Sequence, residues 1–440
     1  MVDKKIILVS MLLLISFLGC TEQPTETTTT IKAAGEIKIG LVAPLTGGAS
    51  TTGNDMQEAA ELAVEEINAA GGITVGKEKM RVVLIKGDTE TNPEQGVKAV
   101  TKLITEDEVD ILIGGFSSAI TYADQKIASE NEMPFIITGA SSPIVTKRDD
   151  IDTSYFFHHC PTTDDYGRDT LIFVDEVVRP AINARFNYSD DRKLRLGMLY
   201  QDGKYGEGVL EGAKKAIESE GLMIEIVAEE KFTRSETDYR TALTAIKSAG
   251  VDVVYPAAFL NEQTPIVVQG RKDIGLNTIY LSVECNDDPD YYAGVGQLGE
   301  YSIQESRFGP YVIPAGSLKA KVERFRSAFK TKWGSQPSMM GASTYEGVYI
   351  AAQAIDDADS LVNEDIRDSL NDLKMDEMIE AMQGGTIEFS EDARESKFQL
   401  YMQQLIWDDA VGETRPVIVW PDNLKEADFI LPEWYESSGD

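Results

Sequence analysis

From Glu36 onward, compact apolar runs alternate with longer stretches whose apolar residues recur every three or four positions. Such a run predicts a strand, and such a recurrence predicts an amphipathic helix. Residues 37–43 read as the first strand. Residues 55–70 read as a helix on the spacing of Met56, Ala60, Ala63 and Ile67, with Asn54 or Asp55 to cap its start and Gly71-Gly72 to end it. A strand at 81–86, a helix opened by Asn92-Pro93, a strand at 109–113, a helix at 119–131 and a strand at 134–138 complete a block.

The order then repeats. Strand 194–200 has an internal glycine, Gly197, as the first strand has Gly40. Helix 206–220, strand 223–228, helix 238–249, a strand opened by Val251-Asp252, helix 263–274 and strand 278–283 follow. Residues 181–192, between the blocks, are polar and irregular and predict a surface loop. Helices at 317–333 and 344–358, an acidic helical region up to Gln383 and strands at 385–390 and 398–407 come after the second block, so the chain returns to each half. Alternation of this length predicts an α/β fold: two doubly wound parallel-sheet lobes joined by a multi-strand hinge.

In an open parallel sheet, ligands sit in the crevice outside the carboxyl ends of the strands. Two segments put glycines and small hydroxyl residues there, Ile113-Gly-Gly-Phe-Ser-Ser118 and Ile137-Thr-Gly-Ala-Ser-Ser-Pro143. Small residues let backbone N–H groups and serine hydroxyls converge on an anion, although Gly and Ser also simply make turns. In the second half, Tyr205 stands at the first strand-to-helix turn and Glu284 follows the strand at 278–283. The tyrosine is placed either to cover a ligand or to pack a helix start. The glutamate is placed either to neutralise an ammonium group or to sit in solvent.

The ends and the composition narrow the picture. Lys4 and Lys5 precede an apolar run over 6–18, and Gly19-Cys20 follow; the run suits a signal-peptide core and is short for a membrane span. Cys20 resembles the lipid-bearing first residue of a lipoprotein, with ordinary cleavage or an uncleaved anchor as alternatives. Residues 21–35, rich in Thr and Glu at their start, read as a tether. The formal net charge of −33 excludes nucleic acid as a partner, because phosphate neutralisation needs clustered Lys and Arg. Cys160 and Cys285 are the remaining cysteines, read as a disulfide or as two free thiols. Gly294-Val-Gly-Gln-Leu-Gly299 has the spacing of a dinucleotide fingerprint but follows Asp287-Asp-Pro-Asp290 rather than an apolar strand. With two adjacent histidines, His158 and His159, neither a zinc site nor a hydrolase triad is legible, so neither cofactor nor metal is expected and binding without turnover is.

Together the opening Ile37-Lys-Ile-Gly-Leu-Val-Ala-Pro-Leu-Thr-Gly47, the stretch 59–72, the two serine loops and the turn at 202–208 resemble the substrate-binding lipoproteins of branched-chain amino-acid ABC importers, the leucine/isoleucine/valine-binding family. The resemblance implies a type 1 periplasmic-binding-protein clamshell, with 36–161 and 305–385 as lobe 1, 162–304 and 386–430 as lobe 2, a signal peptide at 1–20 and a tail at 431–440. It implies that Ser118 and Ser141 hold a ligand carboxylate, that the Gly139 carbonyl and Glu284 meet the ammonium, and that Tyr205 closes over the ligand. It also implies that Phe259, Thr163 and Thr52 line the pocket, Thr52 standing where an aromatic is frequent. The function implied is extracytoplasmic delivery of a small zwitterionic α-amino acid to a membrane permease by a monomeric, lipid-anchored, non-enzymatic body. A sensor of small amides or carboxylates on the same fold, and an enzyme acting on amides or peptides, are the alternatives.

Overall fold

The computed structural model describes residues 35–437 apart from 235, 313, 315, 377, 381–385 and 411. The signal sequence and Cys20 lie outside the described residues, as do the tether up to residue 34, Gln383, Gly385 and residues 438–440.

β1 (Glu36–Ala43) is buried along its second half, as a central parallel strand must be. After it come α1 (Ser50–Ala69), an antiparallel ribbon of β2 (Ile73–Val75) and β3 (Glu78–Asp88), α2 (Pro93–Thr105), β4 (Ile111–Phe116), α3 (Ser118–Glu130), β5 (Phe135–Gly139), α4 (Ile144–Lys147) and β6 (Phe156–His158). These strands form one sheet in the order β2-β3-β1-β4-β5-β6. The start of α2 is the one the sequence specifies: the Asn92 side chain accepts from the N–H groups of Glu94 and Gln95, and Pro93 occupies the first turn.

The second half runs through α5 (Thr163–Phe173), α6 (Arg179–Phe186), β7 (Leu194–Gln201), α7 (Lys204–Ser219), β8 (Ile224–Phe232), α8 (Arg240–Ser248), β9 (Val253–Ala257), α9 (Leu260–Gln269), β10 (Ile279–Ser282), α10 (Pro289–Val295) and β11 (Ile303–Ser306). The chain then crosses back. α11 (Leu318–Trp333), α12 (Met339–Ala358) and α13 (Asn363–Asp372) follow, with α12 packed on α1, β4 and β5. A short ribbon of β12 (Met375–Asp376) and β13 (Thr386–Ile387) leads to β14 (Tyr401–Asp408) and β15 (Glu413–Trp420), which complete a second sheet in the order β15-β14-β11-β10-β9-β7-β8. The repeat is topological: β3-β1-β4-β5 in one sheet corresponds to β8-β7-β9-β10 in the other, all parallel.

Several expectations need correction. α1 begins at Ser50, so Asp55 is no cap; it lies inside the helix, where its carboxylate accepts from the Ser338 N–H and hydroxyl. The expected loop at 181–192 starts as helix, because Ile182 and Asn183 are buried in α6. The acidic helical region ends at Asp372 in α13, the strand expected at 385–390 shrinks to β13, and the strand expected at 398–407 begins at Tyr401. β11 belongs to the second sheet and runs across the 304/305 boundary drawn from sequence. Cys160 and Cys285 are free thiols, which decides against the disulfide. Gly294–Gly299 falls on the end of α10 and the turn after it, away from any strand-to-helix loop.

Candidate functional site

Near its end β4 carries Gly114 and Gly115, both at positive φ; a Cβ on Gly114 would stand 2.4 Å from the Val42 carbonyl oxygen. Only glycine permits that approach of two strand backbones. The turn into α3 is made by Ser117 at φ 74°, a strained conformation for a residue with a side chain. Ser117 occupies the N-cap position without capping the helix. The Ser118 hydroxyl accepts from the Ser142 N–H at 3.0 Å, which ties the two serine loops together, and the Thr163 N–H donates to the Ser141 carbonyl at 2.8 Å, which ties the second loop to the start of α5. Gly139 stands opposite Phe116 in the β4–β5 register.

From the second lobe, the Tyr205 ring stacks on Phe259 with centroids 4.8 Å apart, and Phe259 meets Phe116 across the cleft, also at 4.8 Å. Thr163 is buried, its hydroxyl has no hydrogen bond, and it presses on Gly208 one turn beyond Tyr205. Ser118, Gly139, Ser141, Thr163, Tyr205 and Phe259 are therefore brought together. Thr52 is buried in the first turns of α1, with its neighbour Gly53 packed on the Pro44 carbonyl.

Glu284 has partners within the protein. It is 1% exposed, and both oxygens are engaged: Arg307 donates to one and the Tyr166 hydroxyl to the other. Arg307, itself wholly buried where the chain leaves β11, also donates to Glu380 at 2.8 Å and to the Ser343 hydroxyl at 3.0 Å. His159 Nε2 lies 3.1 Å from Glu346 and 3.2 Å from Glu380. Burial and the neighbouring Glu380 push the Glu346 carboxyl up to about 7. Against burial, Arg307 and His159 hold Glu380 below the usual carboxylate range. This network joins segments that cross between the two sheets, and Glu284 is part of that joint.

The open space lies beside the predicted residues. A cavity of about 400 Å³ is lined by Gly48, Ala49, Glu90, Thr91, Asn92, Phe259 and Glu262, and by Arg234, Glu236, Thr237 and Asn261. Of the predicted set, Phe259 alone lines it. All of these residues follow β1, β3, β8 or β9, at the carboxyl ends of strands of the two sheets. Across the opening, Arg234 donates to the Ser117 hydroxyl at 3.2 Å and to the Thr91 carbonyl at 3.4 Å, and the Asn261 amide donates to the Gly48 carbonyl. Lys204 sits over the Tyr122 ring. The lobes are closed on each other. Glu262 is held by the Gln201 amide and the Phe259 N–H, and burial raises its carboxyl above the ordinary range. Sequence reasoning missed Arg234, Glu236 and Glu262 because it looked for serines at strand ends; the same rule applied to the turns after 223–228 and Val251-Asp252 reaches them.

A family model described as periplasmic binding protein matches residues 36–409. The chain belongs to the periplasmic binding protein family. Members of this family bind substrates and are not enzymes. This periplasmic binding protein is 24% identical over 416 residues to Leu/Ile/Val-binding protein homolog 7 of Brucella melitensis, covering 91% of this chain and 95% of the relative. Its fold is shared with LivJ of Streptococcus pneumoniae, solved in complex with isoleucine, at a TM-score of 0.72 and 23% identity, covering 88% of this chain and 100% of that one. It is shared equally with a solute binding protein of Rhodopseudomonas palustris, solved with 3,4-dihydroxy benzoic acid, at 0.71 and 20%, covering 87% and 96%. No helix among the described residues of this periplasmic binding protein is long and apolar enough to cross a membrane.

Proposed function

We propose that this chain is the extracytoplasmic solute-binding component of an ABC importer, tethered through Cys20, which traps a small zwitterionic α-amino acid between its lobes and delivers it unaltered to a membrane permease. Lobe 1 then comprises 36–161 and 305–385, lobe 2 comprises 162–304 and 386–430 with β11 on its side, and the body acts as a monomer.

The charge pattern of the interlobe cavity carries this proposal. One guanidinium, Arg234, faces the cavity together with Glu90, Glu236 and Glu262. A zwitterion complements both signs. An aromatic acid such as the ligand of the Rhodopseudomonas neighbour brings an anion alone, and the three carboxylates oppose it. With Glu284 committed to Arg307, the ammonium falls to Glu236 and Glu262, while the carboxylate goes to the Ser118 and Ser141 loops. A solute that bridges both lobes has its full set of contacts only in the closed form, and that differential affinity shifts the population. Binding in the micromolar range, about −8 kcal/mol, is the scale of such a site.

Thermal melting against a panel of α-amino acids, their amides and aromatic acids tests the proposal. At 100 times its Kd a ligand specific for the folded state adds about 2.7 kcal/mol of stability. An α-amino acid is expected to raise the melting temperature and to be recovered chemically unchanged. Stabilisation by aromatic acids alone, or conversion of the added compound, contradicts the proposal.

A further inference from the structure

Arg234 is placed unlike a surface arginine. It follows β8, is half-buried, and reaches across the cleft to the first lobe. Its acceptors are two neutral oxygens at 3.2 and 3.4 Å, near the outer limit of a hydrogen bond. A guanidinium carries five N–H donors, and two long bonds leave most of that capacity unused. Among the described residues no carboxylate pairs with it by hydrogen bond or salt bridge. Burial lowers its pKa, and Glu262 only partly offsets this. On the other side stands the strained Ser117, whose hydroxyl accepts from Arg234 instead of capping α3. The first N–H groups of a helix have no intrahelical acceptor and favour an anion. A cation from lobe 2 and a helix start from lobe 1 thus face each other at the rim of one cavity.

Resting on the function proposed above, we propose that Arg234 is the carboxylate receptor of the second lobe: the ligand carboxylate accepts from the unused N–H groups of its guanidinium beside the Ser117-Ser118 start of α3, so that the anionic end of the solute holds the lobes together. The solute class is narrowed accordingly. A carboxylate is obligatory, because a neutral amide leaves a half-dry guanidinium without an anionic partner. A group of positive charge is needed beside it, because Glu90, Glu236 and Glu262 line the same space.

The test reads thermal melting of the full chain against the concentration of an equimolar mixture of the proteinogenic α-amino acids, and against the corresponding mixture of amino-acid amides. For the wild type, the amides need at least about 30-fold more to give the same shift, the loss expected when one member of a desolvated charge pair is removed. Arg234→Gln raises the concentration of acids required by about 30-fold or more while leaving the amides unchanged, so the discrimination collapses; Arg234→Lys restores part of it. If Arg234→Gln melts well below the wild type before any addition, Ser117→Gly takes its place, since glycine accepts that φ and the change removes the hydroxymethyl group; a several-fold loss for acids alone is then expected. An acid-to-amide ratio that Arg234→Gln or Ser117→Gly leaves intact overturns the assignment of Arg234 but not the function. A wild type that no amino acid stabilises overturns both.

Discussion

At the scale of single residues, the buried charges set the constraints. Arg307 answers Glu284 and Glu380 directly, with Glu346 close by, and none of the four is more than 1% exposed. Arg307→Gln leaves these acids without their cation and is expected to cost roughly 3–5 kcal/mol in urea unfolding. An unchanged denaturation midpoint contradicts this role. Asp55 gives a pH dependence. Burial, aided by Glu58, lifts its carboxyl from 3.8 to about 7, against the hydrogen bonds from Ser338, and the buried Asp288 across the cleft is raised as well. Between those two values the folded protein holds a proton that the unfolded chain has lost, so stability falls as pH rises from about 4 to about 7. Asp55→Asn flattens this fall in unfolding free energy; parallel curves for the two proteins sink the assignment. Neither role was legible in the sequence. Acids are so abundant there that spacing cannot pick out the few that burial perturbs, and Glu284 looked free because its partner lies beyond the next strand.

At the scale of elements, close backbone packing couples stability to the site. α5 and α7 touch through glycines: a Cβ on Gly212 would stand 2.4 Å from the Thr163 carbonyl oxygen, and one on Gly167 2.4 Å from the Gly212 carbonyl carbon. Gly212→Ala forces these helices apart and is expected to destabilise by roughly 1–3 kcal/mol, and to weaken ligand binding because Thr163 moves with α5. Calorimetric melting with and without ligand checks both effects. The strands and helices of the repeated blocks were readable because burial on both faces imposes runs and periodicity that survive in sequence. β15 was not, since Pro416 and alternating polar residues disguise an edge strand, where a missing N–H is tolerated. α6 was hidden by its polar composition, with Ile182 and Asn183 its buried positions.

At the scale of the whole molecule, two sheets of like order present their carboxyl ends to one cleft, and the segments between them are tied by the Arg307 network. The serine loops stand at the carboxyl end of the first sheet. What they did not disclose was that the Ser118 hydroxyl would accept from the Ser142 N–H and that Arg234 and the glutamates would face the open space; that depends on how the second lobe meets the first, which no local pattern encodes. In the function proposed above, a small amino acid bridges the lobes and selects the closed form. Small-angle X-ray scattering of the purified body, recorded with and without a saturating equimolar mixture of the proteinogenic α-amino acids, measures this most directly. The expected result is a fall in the radius of gyration toward that of the closed structure; scattering curves that superpose with and without the mixture would contradict it.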